Sequence, residues 1–188
     1  MSDHRGFTLW MTGLSGAGKT TITDVLIERF KERQLPLEVL DGDTVRENLS
    51  KGLGFSKEDR DTNIGRIAFV ADLLSRNGVP VITAAISPYR ETREHARNLH
   101  QGHGSFVEVF IATSLEDCEA RDVKGLYAKA RSGEIPEFTG VSDPYEAPEN
   151  PEILVETAGK TPEESAQQIL DHLETEGLIP AAQPASVG

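Results

Sequence analysis

A glycine-rich octapeptide near the start of the chain, Gly13-Leu14-Ser15-Gly16-Ala17-Gly18-Lys19-Thr20, fits the phosphate-binding pattern G-x-x-x-x-G-K-[ST] at every specified position. Its glycines let the backbone wrap closely around phosphate oxygens, so that successive N–H groups point inward as an anion nest. Lys19 is suited to the β- and γ-phosphates and the Thr20 hydroxyl to Mg²⁺. The helix expected to follow adds its positive N-terminal end. A plain glycine turn between a strand and a helix is the bland alternative, and the lysine, the hydroxyl and both flanks speak against it. The motif implies a bound nucleoside triphosphate.

Further candidates lie downstream. Asp41-Gly42-Asp43 stands where a second strand should end, facing the phosphate loop. A carboxylate there could hold Mg²⁺ or take the proton of an attacking hydroxyl, and it could equally be a helix N-cap. The third strand ends in Ile86-Ser87 without an acid, so the metal role falls to Asp43. Arg46, Arg60, Arg66 and Arg90 leave the same rim, and guanidinium forks suit phosphate and sulfate. Solvated helix faces with Glu58, Asp59 and Asp61 as partners are the competing reading. Phe55 and Phe138 sit in loops and could stack a purine from both sides, or pack in a core. Asn63 could cap a helix or read a base edge. Ser87 has no histidine neighbour to activate it, so a substrate-binding hydroxyl fits better than a nucleophile. The spacing of His95, His100 and His103 suits no single helical face, so surface histidines are expected rather than a metal site.

These residues need a frame. Phe7 to Thr12 reads as a strand, about Thr20 to Arg33 as a helix, and Leu37 to Leu40 as a short strand. A helix follows over about Lys57–Arg76, then the most apolar run, Val79 to Ile86, as a central strand with Pro80 at its start. A polar helix over Glu91–His100, a strand over Phe106–Ile111, a helix from Ser114, a strand over Ile153–Glu156 and a helix from Thr161-Pro162 complete the pattern. Strands alternating with helices call for parallel β-α units, with ligands at the carboxyl ends of the strands. The stretch from Arg121 to about Pro151, partly helical over Arg121–Arg131 and irregular from Ser132 on, reads as a lid, and the Ala/Pro/Ser-rich segment 179–188 as a flexible tail after a single domain over 1–178.

The chain has 188 residues and a net charge of −12, which argues against non-specific nucleic-acid binding. Cys118 is the only cysteine, so no intrachain disulfide can form. No apolar run approaches a membrane span and no leader is evident, so a cytoplasmic protein is expected.

The ordered set of motifs closely resembles the adenylylsulfate kinases (adenosine-5′-phosphosulfate, or APS, kinases). It comprises Gly6 to Thr20, Leu40-Asp-Gly-Asp43 with Arg46, Leu53-Gly-Phe-Ser56 with Asp59, Arg60 and Asn63, Ile86-Ser-Pro-Tyr-Arg90, Arg121 to Tyr127, and Phe138 to Glu146. The resemblance implies an α/β, three-layer P-loop kinase fold with a central, mostly parallel sheet and a lid. It also implies transfer of the γ-phosphoryl group of MgATP to the 3′-hydroxyl of APS, giving 3′-phospho-APS (PAPS) and ADP. Gly13 to Thr21 together with Arg121 and Lys124 would contact the nucleotide, and Thr20 and Asp43 would serve the metal. Asp41, Arg46, Arg60, Asn63, Ile86 and Ser87 would contact APS, with its adenine between Phe55 and Phe138. Lys19, Asp43 and Ser87 would form the catalytic set, Ser87 being labelled a phosphoserine intermediate in the family. A homodimer is implied.

The chain departs from the family pattern by having five residues before Gly6 and by lacking a cysteine pair, and it is expected to carry no fused sulfurylase domain. APS is therefore expected from a separate ATP sulfurylase. A kinase of another hydroxylated metabolite, such as a sugar acid, and a catalytically dead nucleotide sensor are the competing readings. An aromatic clamp argues against the first, and intact Lys19, Thr20 and Asp43 argue against the second.

Overall fold

Every residue of the first strand, β1 (Phe7–Thr12), is buried, as expected of a strand covered on both faces. Its alternation divides the core. Phe7, Leu9 and Met11 point to one side, against Ile22, Leu26 and Phe30 of α1 (Lys19–Glu32) and Ile169, Leu170 and Leu173 of α7 (Pro162–Thr175). Trp10 points to the other, against Val45 of α2 (Gly42–Asn48), Ile64 and Ile67 of α3 (Lys57–Ser75) and Ala96 of α4 (Arg90–Leu99). Period-two alternation in one strand thus sets up three layers. Each fully buried large side chain stabilises the fold by about 1.5–3 kcal/mol.

The computed structural model describes residues 6–181. Its five-stranded sheet has the order β2-β3-β1-β4-β5, where β2 is Glu38–Asp41, β3 Val81–Ala84, β4 Ser105–Ala112 and β5 Ile153–Glu156. All pairings are parallel. Ala84 of β3 is opposite both Met11 of β1 and Asp41 of β2, so these strands end level and their outgoing loops share one rim. The connection from β3 to β4 passes β1, which makes this rim the crevice where such sheets bind ligands.

Capping explains where the helices begin. Ser56 accepts from Asp59 N–H at the start of α3, and Thr161 with Glu164 forms a reciprocal capping box on α7. The front of the lid stretch is partly helical, as expected, and the rest is loop. α5 (Leu115–Arg121) runs into it and α6 (Leu126–Arg131) lies inside it. The expected tail needs a correction at its start. Ile179 is buried in the core and the Pro180 carbonyl accepts from Arg33, because the turn after α7, closed by Leu178 N–H donating to Leu173 O, brings the chain back onto α1. Residues 182–188, like 1–5, lie outside the described residues. No described helix is long and apolar enough to cross a membrane.

Candidate functional site

The phosphate loop joins β1 to α1. Gly18, the N-cap of α1, has φ 109°, and Gly13 has φ 152° with Ile111 O only 2.7 Å from where a Cβ would stand. Neither site takes a side chain without strain. Thr113 Oγ1 donates to Ala17 O (2.7 Å) and Tyr127 Oη to Ser15 O (2.8 Å), so neighbouring elements hold the loop from outside.

Lys19 is buried, and its Nζ donates to Gly13 O and Leu14 O, both at 2.8 Å. Burial pushes its ammonium down to about 8, partly opposed by the nearby Asp41 and Asp43 carboxylates. The end of β2 therefore does face the loop. Asp41 is the N-cap of α2, accepting from Asp43 N–H and Thr44 N–H. Asp43 is exposed and pairs with Lys124 Nζ at 2.8 Å, a hydrogen bond that raises the Lys124 ammonium. Thr20 and Thr21 are exposed at the head of α1, and Arg121 is exposed at the end of α5.

Across the crevice, Phe55 is 56% exposed in the loop before α3, with the Arg46 guanidinium 4.5 Å above its ring. Arg46 also donates to Gly54 O, and burial followed by repulsion from Arg60 pushes it down. Two guanidinium groups thus share one locale on an acidic protein. Arg60 is buried and joins the two expected aromatic loops. Its Nε donates to Phe55 O (2.7 Å), and its terminal nitrogens contact Thr139 Oγ1, Glu137 O and the Asp143 carboxylate. Phe138, half-buried, meets Tyr127 edge-on at 5.1 Å. Every Arg60 nitrogen has a protein acceptor, so contact with an anionic ligand requires an exchange. Asn63 is buried one turn along α3, and its Oδ1 has no hydrogen-bond partner among the described residues. A buried orphan acceptor of this kind calls for a ligand or water.

Ile86 and Ser87 leave β3 at the same rim. Ser87 is 1% exposed and its Oγ accepts from Trp10 Nε1 at 3.1 Å. Trp10 beneath it thus holds the oxygen, and a substrate could meet this buried hydroxyl only after a local rearrangement. Arg66 and Arg90 do not converge on the site. Arg66 donates to Leu49 O, and Arg90 to Ala147 O and Glu149. The expectation of surface histidines also fails at His100, which is buried. Its Nδ1 donates to Ala96 O while Nε2 accepts from Thr8, and desolvation lowers its basicity. Among the described residues, no group of three or more His, Cys, Asp or Glu could hold a metal ion.

Sequence reading passed over Arg93, Tyr145 and Thr12, which fix the loop after β3. The signal was available for Arg93. Among the residues of α4, Ala96 is the buried apolar one, so the face turned to the sheet had to include the arginine one turn before it.

The profile of the family described as adenylylsulphate kinase matches residues 5–156. Over 177 residues the chain is 59% identical to the adenylyl-sulfate kinase of a Picosynechococcus sp., covering 94% of this chain and 98% of that protein. The structure of the Mycobacterium tuberculosis APS kinase CysC in complex with AMPPNP and APS is similar at TM-score 0.87 and 45% identity, over 91% of this chain and 99% of that one. A hexameric APS kinase from Thiobacillus denitrificans is similar at TM-score 0.74 and 40% identity, over 94% of this chain and 30% of that one.

Proposed function

This chain belongs to the adenylylsulfate kinase family, and we propose that its two substrates meet in the crevice between the phosphate loop and the Phe55–Phe138 locale. The reaction transfers the γ-phosphoryl group of ATP to the 3′-hydroxyl of APS, giving PAPS and ADP. The placement of Lys19 and Asp43 opposite paired guanidinium and aromatic side chains carries the reading of the site.

Gly13 to Thr21 bind the triphosphate. Lys19 leaves the carbonyls of Gly13 and Leu14, which it holds in the free protein, and turns its charge to the β- and γ-phosphates. Arg46, Arg60 and Asn63 hold the anionic groups and base edge of APS, and Phe55 and Phe138 enclose its adenine. The 3′-oxygen attacks phosphorus in line as the bond to the bridging oxygen of ADP breaks. Asp43, released from Lys124, orients the hydroxyl and accepts its proton. Lys124 and Arg121 then serve the nucleotide phosphates. The exposed oxygens of Thr20 and Asp43 fit a hard divalent cation, and both would hold Mg²⁺. When bound, Mg²⁺ neutralises charge on the transferring phosphate. Ser87 acts by shaping the acceptor loop, since its buried hydroxyl would have to leave Trp10 to form a phosphoserine.

The protein works in the cytoplasm as a homodimer and receives APS from a separate ATP sulfurylase. A self-associating state is in keeping with the hexameric relative, and sedimentation velocity tests it. The primary assay is ADP release with MgATP and APS, against AMP and gluconate as alternative acceptors. Turnover with APS alone supports the site as assigned. Turnover with gluconate instead would keep the triphosphate side and discard the aromatic acceptor side.

A further inference from the structure

Arg93 is 3% exposed, and its guanidinium spans three separate parts of the chain. Nε pairs with Glu108 Oε1 of β4 at 2.9 Å, Nη1 donates to Ser87 O at 2.7 Å, and Nη2 donates to Glu146 O at 2.5 Å. Its carbon centre lies 5.9 Å from the ring of Tyr145. The Tyr145 hydroxyl meets Thr12 Oγ1 at 2.9 Å, and Thr12 Oγ1 donates to Ile86 O at 2.7 Å. The Ile86-Ser87 loop is thus gripped from α4, from β1 and from the rear of the lid stretch. Ser87 needs that grip, because its φ of 38° is left-handed, a conformation that a residue with a Cβ keeps only when its surroundings over-determine it.

We propose that Arg93 is a positioning residue for the acceptor side. Its fork holds Ser87 O in the strained conformation and ties it to Glu146, so that Ile86 and Ser87 keep the shape APS binds. This rests on the reading that the Ile86-Ser87 loop lines the APS site. A lysine cannot replace the fork, since its donors all radiate from one nitrogen, whereas Arg93 reaches its three acceptors through three separate nitrogens.

The test is steady-state kinetics on folded enzyme, with each substrate varied in turn. Arg93→Lys keeps a charge facing Glu108 and loses fork contacts, so the KM for APS should rise about tenfold, as when one charge-assisted hydrogen bond is lost. The KM for ATP should stay within about twofold on the same grounds. In a Ser87→Gly background the loop reaches positive φ without cost, so the same Arg93→Lys change should cost at least about threefold less in KM for APS. If Arg93→Lys fails to fold, Tyr145→Phe decides, since it leaves the ring in place and removes only the grip through Thr12. It too should raise the KM for APS selectively. Equal rises in both KM values, or no coupling to Ser87→Gly, would reduce Arg93 to a structural role and overturn the proposal. Ile86→Ala separates the two failures. If it raises the KM for APS while Arg93→Lys does not, positioning by Arg93 is wrong and the acceptor site stands. If neither moves it, both fall.

Discussion

The two halves of the stretch between α5 and β5 are fastened by opposite means. The front half carries Val123, 86% exposed, and the Lys124–Asp43 pair, whose side chains are 65% and 77% exposed. Asp122 starts α6 by accepting from Tyr127 N–H and Ala128 N–H, a purely local contact. The rear half is bound to the sheet. Glu146 accepts from Arg90 N–H and Arg93, its own N–H donates to Pro88 O, and Glu152 receives two bonds from Arg97 and one from Glu108 N–H. Exposed pairs contribute about 0–1 kcal/mol and exchange readily. Buried charges cannot give up a partner without a large penalty. The front's exposed charges are thus free to change partners, while the rear's buried ones fix the Ile86-Ser87 loop.

That contrast can be broken or sharpened by measurement. Glu108→Ala strips the buried Arg93 of its carboxylate and should cost about 3–5 kcal/mol of stability in thermal or urea unfolding. A loss below about 1 kcal/mol would mean that the rear is no more firmly held than the front. Asp43→Asn tests whether the front's exposed anchor is functional. Turnover should fall about 100-fold or more, with ATP affinity nearly unchanged, and equal losses would make Asp43 only a metal or structural ligand. Phe55→Ala should weaken APS binding by about 1–3 kcal/mol if the ring stacks a base, which calorimetric titration reads directly. Unchanged affinity in a folded variant retires the clamp.

Lys19 supplies a pH test. Burial pushes its ammonium down to about 8, and an anionic ligand favours the charged form. ATP affinity should therefore fall as pH rises above about 8, by up to about tenfold per unit, with proton uptake on binding. Proton release, or a flat profile to pH 10, would show the ammonium is not the phosphate's partner. The smallest effect is expected from Lys124→Ala, at most about 1 kcal/mol of stability, with a weaker hold on MgATP. A larger destabilisation would place the front among the fixed parts.

The parts legible in sequence were those encoded by neighbours in the chain. The phosphate loop, the strand that enters it, the helix start at Thr161-Pro162 and the five strands all rest on spacings of a few residues. The grip on the acceptor loop was not legible, because Arg93 reaches Glu146 across 53 positions and Tyr145 reaches Thr12 across 133. The buried state of His100 escaped for the same reason, its Thr8 partner being 92 positions away. Asp41 shows the intermediate case. The two readings open to it, ligand and helix cap, use the same oxygens, and only the geometry of Asp43 N–H and Thr44 N–H shows that the cap is formed.

Trp10 is the only tryptophan in the chain, fully buried, stacked 5.7 Å from Phe106 and bonded through its indole N–H to Ser87. The protein therefore carries one indole fluorophore, wired to the Ile86-Ser87 loop, screened from water and excited apart from its three tyrosines at longer wavelength. Its emission reports a single place in the molecule, so a change in colour or lifetime on adding APS, and none on adding ATP, would time the arrival of the acceptor without any label.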